Sequence, residues 1–378
     1  MSSENRNSAL DSIWRAAIEA VSGYQAVVNA LQADPTFRPE QVIAVGKAAA
    51  DMCQGALDNL PPCDALVVTK YGHAQDALQQ RELVTVLECG HPIPDQNSLA
   101  AGHGLLERTF TMPPESRLLL LVSGGASALA EALPADMSLA DLQAKTDEMI
   151  ASGHTIGEIN AWRKQHSLIK DGRLIEAFKG AEVRVYAISD VQGDGIETIG
   201  SGIGDCQRAS VRATSRVIAS NSIARARAAQ KAQELGLSVK VDEETLYGDV
   251  FTLAPVIGET LRNAEPGVYI WGGEPTVVLP ENPGRGGRNQ SLALAVSEHL
   301  VGLDHISLLV AGTDGTDGPT EAAGGRVDGS TWSNKRAARA ALKRADAGPY
   351  LEKRGALFVT GPTGTNVMDL AIAIVDAR

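Results

Sequence analysis

The runs VIAVG, LLLLVSG, VYAISD, VYIWGG, ISLLVAGTD and LFVTGP constrain the fold of this chain more than any other feature. Each is almost continuously apolar, as expected of a strand covered on both faces. Ala- and Leu-rich helical segments such as KAAADMCQGAL and GASALAEAL lie between them. This alternation predicts an α/β fold of parallel strands joined by crossover helices. The apolar runs end in Gly, Ser, Thr, Asp or Lys, so polar residues gather at strand C-termini. Open parallel sheets bind ligands beyond those ends, where helix N-termini also present free N–H groups. The expected site residues are therefore Lys47, Ser123–Ser127, Ser189–Asp190, Gly272–Glu274, Thr313–Asp317 and Thr360–Asn366. Near the N-terminus, Leu10, Ile13, Trp14, Ala17, Ile18 and Val21 follow helical three-four spacing and predict a helix that covers a sheet.

At 378 residues the chain exceeds one typical core, which favours two domains. A composition shift at SVKVDEETLYGDV suggests a boundary near residue 240, giving units 1–240 and 241–378. The net charge of −12 argues against a broad nucleic-acid surface, because phosphate backbones need clustered Lys and Arg. Cys53, Cys63, Cys89 and Cys206 form no C-x-x-C pair, and no apolar stretch is long enough to span a bilayer. A cytoplasmic protein with neither membrane nor nucleic-acid partner is expected.

Several motifs could carry chemistry. Lys47 in VGKAAADM could reach a phosphate or carboxylate as a point charge, or simply be solvated, and no Walker A loop is present. Ser123, Gly124, Gly125 and Ser127 form a strand-to-helix turn that could bind an anion or serve only as a cap. Asp190 leaves a buried strand and could act as a general base or hold Mg²⁺. The nearby GSGIG fails the G-x-G-x-x-G spacing of a dinucleotide site. Arg163, Lys164, Lys170 and Arg173 form a basic run that could be a solvated face or face an anion site. In GGEPTVVLPENPGRGGRNQ, Glu274 follows a strand, and Arg285 and Arg288 stand among glycines before a helix, an arrangement suited to anion recognition. The stretch AGTDGTDGPTEAAGG carries Asp314, Asp317 and Glu321 but does not match an EF-hand, and Glu321 reads as surface or cap.

Taken in order, VGKAA, ECGHPIPDQNS, LVSGGASAL, INAWRKQHSLIKDGRL, SDVQGDGIETIGSG, GRGGRNQ, GTDGTDGPT and TGPTGTNVMDL resemble the glycerate 2-kinase family. The resemblance implies a Rossmann-like parallel-sheet domain followed by a smaller α/β MOFRL domain, with the active site in the cleft between them. It implies ATP- and Mg²⁺-dependent phosphorylation of D-glycerate to 2-phosphoglycerate, a small-molecule acceptor and a nucleotide being the partners. On that reading Lys47, Asp190 and Arg288 are catalytic. Ser123, Gly124, Gly125, Ser127, Gly273, Glu274, Arg285, Asn289 and Thr313 contact substrate or phosphate, and Asp190, Asp314 and Asp317 contact the metal. The segment Arg163–Asp171 departs from the family's RKHLS-x-IKGG, which leaves another short hydroxy acid open as acceptor. A hydroxypyruvate or tartronate semialdehyde reductase using NAD(P) is the alternative.

Overall fold

The computed structural model describes residues 1–377, with the backbone alone at Ile156. The chain forms two compact units, Ser22–Ser220 and Met1–Val21 together with the chain from Asn221 onward. In the first unit six strands form one sheet: β1 (Gln41–Val45), β2 (Asp64–Lys70), β3 (Val84–Cys89), β4 (Arg117–Val122), β5 (Glu182–Ile188) and β6 (Arg212–Ala219). Their order is β3-β2-β1-β4-β5-β6, and every pair is parallel. All of β1 is buried, and Ile43, Val45, Leu118, Leu120, Val183 and Val185 belong to one core. The central runs in β1 and β4 thus behave as the sequence requires, being buried along their length, whereas the edge strands β3 and β6 keep exposed polar residues.

The second unit departs from the expected all-parallel arrangement. Its strands are β7 (Val239–Glu244), β8 (Gly248–Asp249), β9 (Gly267–Gly273), β10 (Pro275–Thr276), β11 (Ile306–Gly312), β12 (Gly324–Asp328), β13 (Leu357–Phe358) and β14 (Asp369–Val375). The main sheet has the order β13-β12-β11-β14-β9-β7, and only β7–β9 is parallel. LFVTGP contributes only Leu357–Phe358, because its partner β12 pairs there through Gly324 and Gly325 alone. DLAIAIV, unread as a strand in the sequence, is β14, fully buried between β9 and β11.

The compact units also depart from a cut at residue 240. Val239–Glu244 is a strand within the second sheet, so the composition shift there marks an edge strand and not a linker. The helix Ser3–Val21 packs on β11, β14 and the helix Asn221–Glu234, burying Leu10, Ile13, Trp14, Ala17 and Val21. It covers a sheet as expected, but that sheet is the mixed one. Among the described residues no helix is long and apolar enough to cross a membrane.

Candidate active site

The strand order of the parallel-sheet unit reverses direction between β1 and β4, and such a switch point is where doubly wound sheets open a crevice. Val45 and Val122 are register partners, so the turns Gly46–Lys47 and Ser123–Gly125 emerge side by side. Here the two turns are stitched together. The Lys47 N–H donates to Gly124 O at 2.9 Å, the Ser123 N–H donates to Val45 O at 3.0 Å, and the Ala48 N–H donates to Ser123 Oγ at 3.1 Å. Gly46, at φ +131°, has no room for a side chain, since a Cβ would sit 2.2 Å from Ser123 Oγ. Ser123 therefore acts as a bridge between turns, and the N–H groups of Lys47 and Ala48 are already used.

The following glycines receive three polar side chains. A Cβ on Gly124 would lie 1.8 Å from Asp190 Oδ2, so the Asp190 carboxylate rests directly on the bare Cα. A Cβ on Gly125, at φ +83°, would lie 3.1 Å from His91 Nε2 and 3.2 Å from Lys47 Cγ. Lys47, His91 and Asp190 thus converge on Gly124–Gly125. His91 was missed by the sequence reading. Its only signal was its place in ECGHPIPDQNS, because nothing in spacing singles out a lone histidine in a loop. Burial, followed by the positive charges of Lys47 and Lys70, pushes His91 down to about 4, so its imidazole is neutral near pH 7. Ser127 is turned to Ser201, whose hydroxyl donates to Ser127 Oγ at 2.8 Å.

The mixed-sheet unit builds a different cluster. Because β14 runs antiparallel between β9 and β11, Asp369 at its start pairs with Gly273 and Gly312 at their ends. A search of strand C-termini misses Asp369 for that reason. Arg288 opens the helix Arg288–His299. Its Nε donates to Asp369 Oδ2 at 2.6 Å, Nη2 donates to Asp369 Oδ1 at 3.2 Å, and Nη1 donates to Glu274 Oε1 at 2.8 Å. Asn289 Nδ2 adds a bond to Asp369 Oδ1 at 3.0 Å. Burial pushes Asp369 up, opposed by Arg288; burial would lower Arg288, but Asp369 and Glu274 more than offset it. Arg288 is a paired guanidinium, not the open anion fork expected from sequence.

Asp317 also has a role other than the expected metal contact. Its two oxygens accept the N–H groups of Asn289 at 3.0 Å and Gln290 at 2.8 Å, capping the helix from another loop. Burial pushes Asp317 up to about 7 despite those two donors. A Cβ on Gly287 would lie 2.2 Å from the Asp317 carboxyl carbon, so glycine is required for this approach. Thr313 is fully buried, donating to Met368 O at 2.6 Å and accepting the Val367 N–H at 2.8 Å, which makes it a tether and not a ligand contact. Arg285 pairs with Glu352 at 2.8 Å. Gly273, at φ +137°, packs against the Leu246 backbone.

A cavity of about 310 Å³ remains, lined by Gly286, Gly287, Arg288, Asp314 and Thr316 among others. Asp314 Oδ1 accepts the Thr316 N–H at 3.0 Å and its hydroxyl at 3.1 Å, holding the loop against the cavity. Glu274, Asp314, Asp317 and Asp369 outnumber the single Arg288 in this region. Among the described residues no group of three His, Cys, Asp or Glu side chains forms a metal cage. Magnesium commonly binds through one or two carboxylates plus substrate phosphates, a pattern that these residues fit.

A family described as domain of unknown function (DUF4147) matches residues 9–235, and the MOFRL family matches residues 267–369. The chain is 35% identical to a glycerate 2-kinase of Pyrococcus horikoshii, covering 96% of each protein. It is 35% identical to a D-glycerate 2-kinase of Thermotoga maritima over 96% of this chain and 97% of that one. A protein of Agrobacterium vitis described as a putative hydroxypyruvate reductase is 32% identical over 96% of this chain and 93% of its own length. A crystal structure of glycerate kinase from Thermotoga maritima superposes with a TM-score of 0.90 at 32% identity, covering 98% of this chain and all of that one. The chain belongs to the glycerate kinase family and is a kinase.

Proposed function

We propose that the protein transfers the γ-phosphoryl group of ATP to the 2-hydroxyl of D-glycerate, giving 2-phosphoglycerate, with Mg²⁺ accompanying the nucleotide. The observation that carries this reading is the convergence of Lys47 and Asp190 on Gly124–Gly125, where a Cβ on Gly124 would collide with Asp190 and Gly125 takes a left-handed φ of +83°. Phosphoryl transfer needs positioning and neutralisation of charge more than covalent help. On this reading Asp190 accepts the proton of an attacking hydroxyl, and the Lys47 ammonium neutralises charge on the transferring oxygens. Beside Lys47, neutral His91 adds a hydrogen-bonding edge without adding a second charge. Asp314, on the wall of the cavity beside Arg288, would hold Mg²⁺, which when bound would supply charge neutralisation to a phosphate. Arg288 keeps Asp369 paired and so sets the shape of that cavity wall.

The reductase alternative is disfavoured by the switch point itself. A Rossmann site offers backbone N–H groups there to a pyrophosphate, whereas Lys47 and Ala48 have already donated theirs to Gly124 and Ser123. All four cysteines are free thiols, which suits the reducing cytoplasm in which we place the reaction. Incubation with ATP, Mg²⁺ and D-glycerate, and separately with NADH and hydroxypyruvate, tests the assignment. The expected outcome is ADP formation in the first and no NADH oxidation in the second; the reverse pattern overturns it.

A further inference from the structure

Of the four basic residues in the run from Arg163 to Arg173, three are consumed by the fold. Lys170 is buried against Glu131. Lys164 Nζ donates to Glu197 O, and Arg173 Nη1 donates to Lys164 O and Lys170 O. Arg163 is different: its Nε is buried and has no hydrogen-bond partner among the described residues. Burial pushes the Arg163 guanidinium down, with only Glu131 opposing, and Glu131 is already bound to Lys170. A buried guanidinium nitrogen without an acceptor is costly and calls for a functional reason.

Arg163 lines a cavity of about 710 Å³ in the parallel-sheet unit, within the usual range for small-molecule sites. Its walls are Pro92, Ile93, Ile150 and Ile159, and Asp147 also faces it. Ile93 and Ile150 remain 66% and 60% exposed, an apolar surface with no protein cover. Gln143 Nε2 donates to Pro94 O at 3.0 Å, fastening the helix Leu139–Ala151 to the loop that places His91 on Gly125.

We propose that this cavity binds a small monocarboxylic acid, with its carboxylate on Arg163 and its carbon body between the proline loop and Ile150–Ile159. A planar guanidinium matches a carboxylate, and Arg163 shares the cavity wall with Asp147 and with His154, itself paired to Glu158 at 3.5 Å, which favours one negative charge over the two of a phosphate monoester. The assignment stands on the geometry of this unit and holds whether or not the proposed reaction is correct.

The probe is benzoate, titrated calorimetrically into the full-length chain without nucleotide. Wild type is expected to bind it saturably, Arg163→Gln at least tenfold more weakly, and Arg163→Lys with intermediate affinity. Ile150→Asp, an exposed change that leaves Arg163 in place, should also weaken binding and keeps the test valid if Arg163→Gln does not fold. In turnover assays, competition between benzoate and D-glycerate identifies the cavity as part of the acceptor path. Inhibition or activation without competition identifies a separate effector site; either outcome supports carboxylate recognition. Absence of saturable binding to wild type, or unchanged binding in Arg163→Gln and Ile150→Asp, overturns the proposal. ATP turnover by wild type, measured in parallel, reports separately on the kinase reaction.

Discussion

Lys47 in the parallel-sheet unit and Arg288 in the mixed-sheet unit are both cations at the end of a sheet, yet their surroundings are opposite. The Lys47 stem lies against Gly125 beside a neutral imidazole, and its backbone N–H makes the structural contact with Gly124. Arg288 spends its guanidinium on Asp369 and Glu274. A cation anchored through its backbone keeps its side chain available for substrate, whereas one anchored through its side chain chiefly organises its neighbours. The glycine-rich contexts VGKA and GRGGRNQ look equally suited to anions in sequence, and the difference comes from carboxylates distant in the chain.

That contrast should separate activity from stability. The largest effect is expected for Lys47→Ala, which should lower turnover by roughly 10³-fold or more while moving the melting temperature by only a few degrees. Steady-state kinetics and a thermal melt check both parts; near-normal turnover would remove Lys47 from the mechanism. Arg288→Ala should behave differently because it leaves the buried Asp369 carboxylate without its cation, with only the Asn289 amide still bound to it. A cost of about 3–5 kcal/mol is expected in urea unfolding, and changing both Arg288 and Asp369 to alanine should cost less than the sum of the single changes. If Arg288→Ala were as stable as Lys47→Ala, the distinction between the two cations would fail.

Asp317→Asn sharpens the same comparison. It replaces one acceptor oxygen at the start of the helix Arg288–His299 and should cost about 1–2 kcal/mol in denaturant unfolding. An effect of similar size concerns His91 and pH. Its folded value of about 4 lies below the ordinary 6.5. The unfolded chain therefore binds more protons between those values, and stability is full above about pH 6.5 and declines as pH falls towards 4. With partial exposure allowed for, His91 should account for ~1–2 kcal/mol of that decline. His91→Gln should flatten this share of the pH dependence; an unchanged slope would place the imidazole in water.

In the first sheet β1, β4 and β5 were legible because parallel strands buried on both faces leave unbroken apolar runs, whereas β2, β3 and β6 were not among the runs read. The sequence also placed Lys47, Gly124, Gly125 and Asp190 at the correct strand ends, since in a parallel sheet all C-termini share one edge. The same rule failed in the second sheet. Antiparallel β14 brings an N-terminal residue, Asp369, to the edge where β9 and β11 end, and no periodicity distinguishes it from Asp314 or Asp317. His91 escaped for a different reason: a loop residue acquires meaning only through the glycine on which it lands. The tethering role of Thr313 and the capping role of Asp317 were hidden because their partners lie tens of residues away in sequence.

The most direct test of the account follows the phosphorus atom. With wild-type protein, ATP, Mg²⁺ and D-glycerate, ³¹P NMR should show the γ-phosphate resonance of ATP replaced by that of 2-phosphoglycerate, and Lys47→Ala should abolish the new signal. Persistence of intact ATP with D-glycerate, or a phosphate ester at the 3-position instead, would contradict it.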